Sequence, residues 1–248
     1  MKKSLSLLLV FALCIGAVCL LAACGPEIIP IEISEPPEFP DAATELPNVP
    51  VVGGWEVSTD AAEAKMPKEA REAFDKAVEE LDGASYVPIA YLGSQVVAGT
   101  NYAYLCRTVI LAADPIVKLT LVKVYSDLEG NASILDIADV NIADYTEDRG
   151  LEFDGTLTGG WTYCSDYPAR LDSEEQSAYK AATKGMVGAA YTPLALMGSQ
   201  TVAGKNYAFL CCCERATEEY NATLAVLVIY AGTDGTTEIS SFCPFPIG

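Results

Sequence analysis

Tyr86-Val-Pro-Ile-Ala-Tyr-Leu-Gly-Ser-Gln-Val-Val-Ala-Gly-Thr-Asn-Tyr-Ala-Tyr-Leu-Cys106 and Tyr191-Thr-Pro-Leu-Ala-Leu-Met-Gly-Ser-Gln-Thr-Val-Ala-Gly-Lys-Asn-Tyr-Ala-Phe-Leu-Cys211 are one segment written twice at an offset of 105 residues. The match extends outward in both directions. Gly53-Gly54-Trp55 faces Gly159-Gly160-Trp161 upstream, and Tyr125 and Gly130 face Tyr230 and Gly235 downstream. Self-similarity at a fixed spacing marks a duplicated structural unit, and each copy has the length of a small domain. The chain therefore divides into a first domain over 51–146 and a second over 147–248.

Each copy carries one helix signal followed by strands. In the first, Pro67 suits a first helical turn, and Met66, Ala70, Ala73, Phe74, Ala77, Val78 and Leu81 recur at three- and four-residue steps up to Gly83. In the second, Ser173 with Gln176 reads as a capping box, Tyr179, Ala182 and Met186 carry the stripe, and Gly188 closes it. Runs rich in β-branched and aromatic residues follow at 86–92, 101–112, 117–125 and 133–142, with Glu129-Gly130-Asn131 as a turn; the second copy repeats them, with a turn at Thr233-Asp234-Gly235. Strands with no helices between them pair antiparallel. The expectation is an α+β fold, each unit one helix packed on an antiparallel sheet.

The N-terminus has a different character. Met1-Lys2-Lys3 precedes an apolar run to Leu21 and then Leu21-Ala22-Ala23-Cys24, the layout of an export signal with small residues at the cleavage point. Leu-Ala-Ala-Cys resembles the bacterial lipobox, which implies that residues 1–24 are a signal peptide ending at a lipid-modified Cys24 and that the rest is exported and anchored to the cell envelope. Residues 25–50 are dominated by Pro26, Pro30, Pro36, Pro37, Pro40, Pro47 and Pro50 with acidic residues between them. That composition favours an extended tether, at ~3.1 Å per residue on the order of 80 Å long.

Composition excludes several functions. The 248 residues carry a net charge of −19 and no histidine. An acidic surface repels phosphate backbones, so nucleic acid is not expected as a partner, and without imidazole there is neither a Ser-His or Cys-His nucleophile pair nor a His metal ligand. No cofactor loop or small-molecule substrate signature is present, and no enzyme activity is expected. Past Cys24 six cysteines remain: Cys106, Cys164, Cys211, Cys212, Cys213 and Cys243. Six allow fifteen disulfide pairings between which the sequence does not choose. The Cys211–Cys213 run suits buried thiols better than a metal, because consecutive strand residues point to opposite faces.

The informative segment is the hairpin connection, Gly93–Thr100 and Gly198–Lys205. Hairpin tips ordinarily favour Asn, Asp, Gly and Ser, yet these display valine and alanine, a surface suited to burial in a partner. Gln95-Val96-Val97-Ala98-Gly99 and Gln200-Thr201-Val202-Ala203-Gly204, each followed one residue later by Asn-Tyr, resemble the Gln-x-Val-x-Gly signature of the cystatins, protein inhibitors of papain-like cysteine proteases. Val51-Val52-Gly53-Gly54 and Leu157-Thr158-Gly159-Gly160 stand where that family has a glycine behind an apolar trunk. The resemblance spans both copies and implies two tandem cystatin-like domains. It further implies that Val51, Val52, Gly53, Gly54, Gly159 and Gly160, with the two hairpins, bind a protease by occluding its cleft.

The second hairpin departs from the family's Pro-Trp. Leu128-Glu-Gly-Asn131 and Thr233-Asp-Gly-Thr236 read as turns with little apolar contact area, which implies weaker binding, and Thr201 marks the second domain as the poorer inhibitor. The alternative function is a non-inhibitory surface binding or adhesion module that reuses the fold. The glycine pairs are then flexible junctions, and Trp55 and Trp161 are core or sheet anchors.

Overall fold

In a computed structural model the described residues are 54–60, 66–146, 160–164, 171–215 and 222–248. The signal peptide, Cys24, the tether, Val51, Val52, Gly53 and Gly159 lie outside them.

The first copy forms strand β1 (Glu56–Val57), helix α1 (Lys68–Glu79), and strands β2 (Ala84–Val97), β3 (Gly99–Ile110), β4 (Ile116–Ser126) and β5 (Ala132–Val140), closed by a short 3-10 turn at Ile142–Tyr145. The second forms β6 (Thr162–Tyr163), α2 (Ser173–Thr183), β7 (Ala189–Val202), β8 (Gly204–Arg215), β9 (Thr223–Gly232) and β10 (Thr237–Pro244). Each set of strands makes one five-stranded antiparallel sheet in which sequence neighbours pair, β1-β2-β3-β4-β5 and β10-β9-β8-β7-β6. The fold is α+β, with two such sheets and, among the described residues, two helices. Neither helix is long and apolar enough to cross a membrane.

The helices follow the stripe and correct one cap. In α1 the stripe residues Ala70, Ala73, Phe74 and Ala77 are buried, against Tyr104, Cys106, Val122 and Val124 of the sheet. The Tyr104 hydroxyl donates to the Ala70 carbonyl at 2.6 Å and ties the helix down. In α2 the cap is Asp172 with Glu175, one residue earlier than the Ser173–Gln176 pair read from sequence. The Asp172 carboxylate accepts from the Glu175 amide at 2.8 Å, and the Glu175 carboxylate accepts from the Asp172 amide at 2.8 Å. Both pairs have capping-box spacing, and the acidic pair adds charge complementarity to the helix N-terminus. Gln176 instead donates its side-chain amide to the Leu171 carbonyl at 2.8 Å.

A helix covers one face of each sheet; the other face is buried as well. Ile89, Leu92, Leu105, Leu119, Leu121, Val140 and Ile142 of the first copy share a core with Leu194, Met197, Leu210, Cys212, Leu224, Val226, Val228, Phe245 and Ile247 of the second. The strand periodicity explains the division. In β8, Tyr207, Phe209, Cys211 and Cys213 face α2, while Ala208, Leu210 and Cys212 face the first sheet. The cysteine run thus alternates between two cores. The described residues of both copies belong to one compact unit.

Each copy's tail crosses to the other. The Ile142 Cδ1 lies 3.1 Å from where a Cβ on Gly198 would sit, and Trp55 lies equally close, at 3.0 Å, to such a position on Gly248. The Ser241 hydroxyl donates to the Tyr145 carbonyl at 2.5 Å, and the Tyr145 and Phe245 rings are 5.6 Å apart. Trp55 and Trp161 are partly buried against the shared core, in line with the reading of both as anchors.

Candidate binding edge

The two long strands of each hairpin stay paired further toward the tip than the expected strands 86–92 and 101–112. β2 continues through Gly93 to Val97, and β3 begins at Gly99, so Ala98 alone forms the tip. Gly93 lies inside the strand at a register shift, where its φ is 151°. It serves close approach, since a Cβ there would lie 2.3 Å from the Glu56 carbonyl oxygen of β1. By this means β1 pairs with the tip half of β2, Glu56 opposite Ser94 and Val57 opposite Gly93. The antiparallel register carries the preceding residues, Trp55 and exposed Gly54, toward the Gln95–Val96 end. β6 repeats this with Thr162 opposite Ser199 and Tyr163 opposite Gly198, and Gly160 is exposed before it.

At the tip, Val96 is 71% and Val97 44% exposed, and Ala98 is exposed beside them. The other signature residues hold the hairpin together. Gln95 sits opposite Asn101 and accepts from its side-chain amide at 2.8 Å; Gln200 and Asn206 make the same bond at the same distance. Gly99 has φ 127° and packs against β4, where an added Cβ would lie 2.3 Å from the Ser126 carbonyl oxygen and 2.9 Å from the Tyr125 ring. Gly204 repeats the arrangement against Ala231 and Tyr230. The tyrosine hydroxyls complete it, Tyr125 donating to the Ala98 carbonyl and Tyr230 to the Ala203 carbonyl, each at 2.6 Å.

The β4–β5 loop stands at the same end of the sheet, because Thr100 pairs with Ser126 immediately before it. Its order comes from Asp127, whose carboxylate accepts from the amides of Glu129 and Asn131 and from the Asn131 side chain at 2.8–2.9 Å. Those bonds, the Asn131 side chain foremost, hold the Asp127 carboxyl below its ordinary value. The Lys76 ammonium donates to the Gly130 carbonyl at 2.7 Å and fastens the loop to α1. The loop read as offering little apolar contact area carries one large apolar side chain outward, Leu128, which is 87% exposed. The turn geometry fixes the backbone and turns this side chain outward, which reading the segment by turn type alone conceals.

The second edge is built alike but is more polar. Thr201 and Ala203 are exposed, Val202 is 42% exposed, and the neighbouring loop carries Asp234, which accepts from the Thr236 amide at 3.0 Å. Beside the tip Lys205 pairs with Glu174 at 2.9 Å, a surface ion pair worth little to stability. Sequence reasoning placed Leu128 in the second hairpin but gave it no contact role, and it missed Tyr125 and Tyr230 as parts of these edges. The tyrosines were visible only as matched positions of the repeat.

None of the described cysteines belongs to a hairpin tip. Cys106 and Cys211 are buried under the helices, Cys164 and Cys243 are half-buried, and Cys106, Cys211, Cys212, Cys213 and Cys243 are free thiols. Burial pushes the Cys212 thiol up to about 11 and the Cys213 thiol to about 12, with Cys106 and Cys211 raised further. Among the described residues no group of three or more His, Cys, Asp or Glu side chains is placed to hold a metal ion. No protein-family model and no curated protein matches the chain.

Proposed function

We propose that the chain is a lipid-anchored, exported inhibitor of papain-like cysteine proteases, built from two tandem cystatin-like repeats and acting by occlusion of the active-site cleft. The observation that carries this reading is the composition of one sheet edge. It brings together the glycine-preceded entry to β1, the Val96–Val97 tip and Leu128, three apolar or backbone-exposing elements on a rigid antiparallel frame. Burying such side chains in a cleft gains roughly 25 cal/mol per Å² of apolar surface. A hairpin already fixed by the Gln95–Asn101 bond loses little freedom on binding. No bond is cut, which suits a chain with no histidine. The first repeat is the stronger inhibitor, having two exposed valines and Leu128 where the second has Thr201, Val202 and a polar loop. In this reading the anchor is Cys24 and the tether is residues 25–50.

The test is residual papain activity titrated with the soluble chain from Gly25 to Gly248, alongside a variant carrying Val96→Asp and Val97→Asp. Saturable, reversible inhibition by the parent and a loss of at least a hundredfold in the variant are expected. Inhibition undiminished in the variant removes the hairpin mechanism. Absence of inhibition of papain and of other papain-like enzymes by the parent leaves the non-inhibitory surface-binding module as the reading.

A further inference from the structure

Exposed apolar tips tend to be mobile, because nothing on the solvent side fixes them. Here both tips are tied from the adjacent strand by the same device. A tyrosine on β4 or β9 reaches across β3 or β8, and its hydroxyl donates to the carbonyl of the single tip residue at 2.6 Å. A glycine without a Cβ makes room for its ring.

The two copies differ at Val96 and Thr100 of this segment and share the residues that build the latch. The outward Val96 becomes Thr201, and Thr100 becomes Lys205. The glutamine, the glycine, the asparagine and the distant tyrosine are identical in both. The tyrosine stands 27 residues from the carbonyl it binds, so local turn preference does not account for the pairing. Neither phenol is fully buried; the hydroxyl acts at the surface, where a bond serving only the core would be redundant.

We propose that Tyr125 and Tyr230 are positioning residues, latches that hold the hairpin tips in one conformation and thereby set how fast and how tightly the tips engage a partner's cleft. This inference rests on the inhibitory reading for its partner, a papain-like protease, but the latch is measurable without one. Removing the hydroxyl alone leaves the ring, the glycine contact and the β-sheet in place. The ordering that the latch supplies in the free protein then falls on the binding step instead.

The experiment compares Tyr125→Phe, and Tyr125→Phe with Tyr230→Phe, against the parent soluble chain. Amide hydrogen exchange is followed in the free protein, and association and dissociation rates are measured with papain. Expected are faster exchange confined to Val97–Gly99 in the single variant, an unchanged melting temperature, and a five- to tenfold weaker inhibition constant carried mainly by slower association. Tip exchange equal to the parent's overturns the latch. Faster tip exchange with unchanged inhibition overturns its role in recognition. A parent chain that inhibits no papain-like enzyme overturns the inhibitory reading instead, and tip exchange in Tyr125→Phe then decides the latch by itself.

Discussion

Replacing Leu105 by alanine asks whether the two repeats are separate bodies or one. Leu105 is fully buried on the inner face of β3, within the core shared with the second repeat. Truncating such a leucine costs about 2–5 kcal/mol, through lost transfer energy and an unfilled cavity. The cost falls on both repeats if they unfold together. The structure says how strongly they are joined. The first repeat contributes seven residues larger than alanine to the common core, each worth roughly 1.5–3 kcal/mol on full burial. Exposing them would cost on the order of 10–20 kcal/mol, as much as the whole stability of a typical domain at about 5–15 kcal/mol. The assay uses the two tryptophans, one per repeat. Trp55→Phe and Trp161→Phe leave one reporter in each half, and urea unfolding is followed by fluorescence. Both reporters are expected to give one coincident transition. Leu105→Ala should lower both midpoints equally, by roughly 1 M if the slope lies near 3 kcal/mol per molar urea. Two separated transitions, or a shift seen only by Trp55, would refute the shared-core argument.

Three further outcomes follow from local geometry. Gly99→Ala places a Cβ 2.3 Å from the Ser126 carbonyl oxygen at a φ of 127°, so nuclear magnetic resonance should show the tip and the start of β4 displaced, whereas Gly83→Ala, strained in φ but meeting no neighbour, should leave the tip unchanged. In the chain from Gly25 onward, a thiol reagent at pH 8 should modify Cys243 in the native state and reach Cys106, Cys211, Cys212 and Cys213 only after unfolding, as followed by mass spectrometry. The Asp127 carboxyl is held below its ordinary 3.8 by Asn131. The folded-state value is thus the lower one, and the loop's order is complete above the ordinary aspartate value and lost as pH falls through the depressed one. The side-chain amide shifts of Asn131 should move in that acidic window, and Asp127→Asn should remove that titration.

Much of the architecture was legible because it is written in period. The three- and four-residue stripe of Ala70, Ala73, Phe74 and Ala77 marked a helix face, and the strands with turns between them marked an antiparallel sheet; the repeat doubled both. The second buried face was not read, although its signal was present. Ala208-Phe-Leu-Cys-Cys-Cys213 is apolar at every position, whereas a half-buried strand alternates. The cap on α2 was misplaced by one residue because Asp172 and Ser173 both lead a compatible partner at the third position, and charge decides between them only once the helix exists. At the candidate edge the tip valines could be found from sequence, since apolar residues stood where polar ones belong. The tyrosine latches could not, because a contact across 27 residues depends on strand register. Leu128 was read as part of a turn, whose backbone signal is stronger than that of one side chain, so its outward exposure was not drawn.

The burial of both faces of each sheet constrains how such a chain can grow. A repeat with one wet face can be added or deleted singly, and the array merely lengthens or shortens. Here every unit leaves one apolar face that only a second unit covers, so a third copy would carry that face open to solvent. The pairing also ties the two copies' later histories together: Leu121 and Val226, or Leu92 and Met197, occupy matched positions of one core, and a change of volume on one side is felt on the other. A change in the shared face must be met on both sides, whereas the outward tips are the part each copy can alter alone.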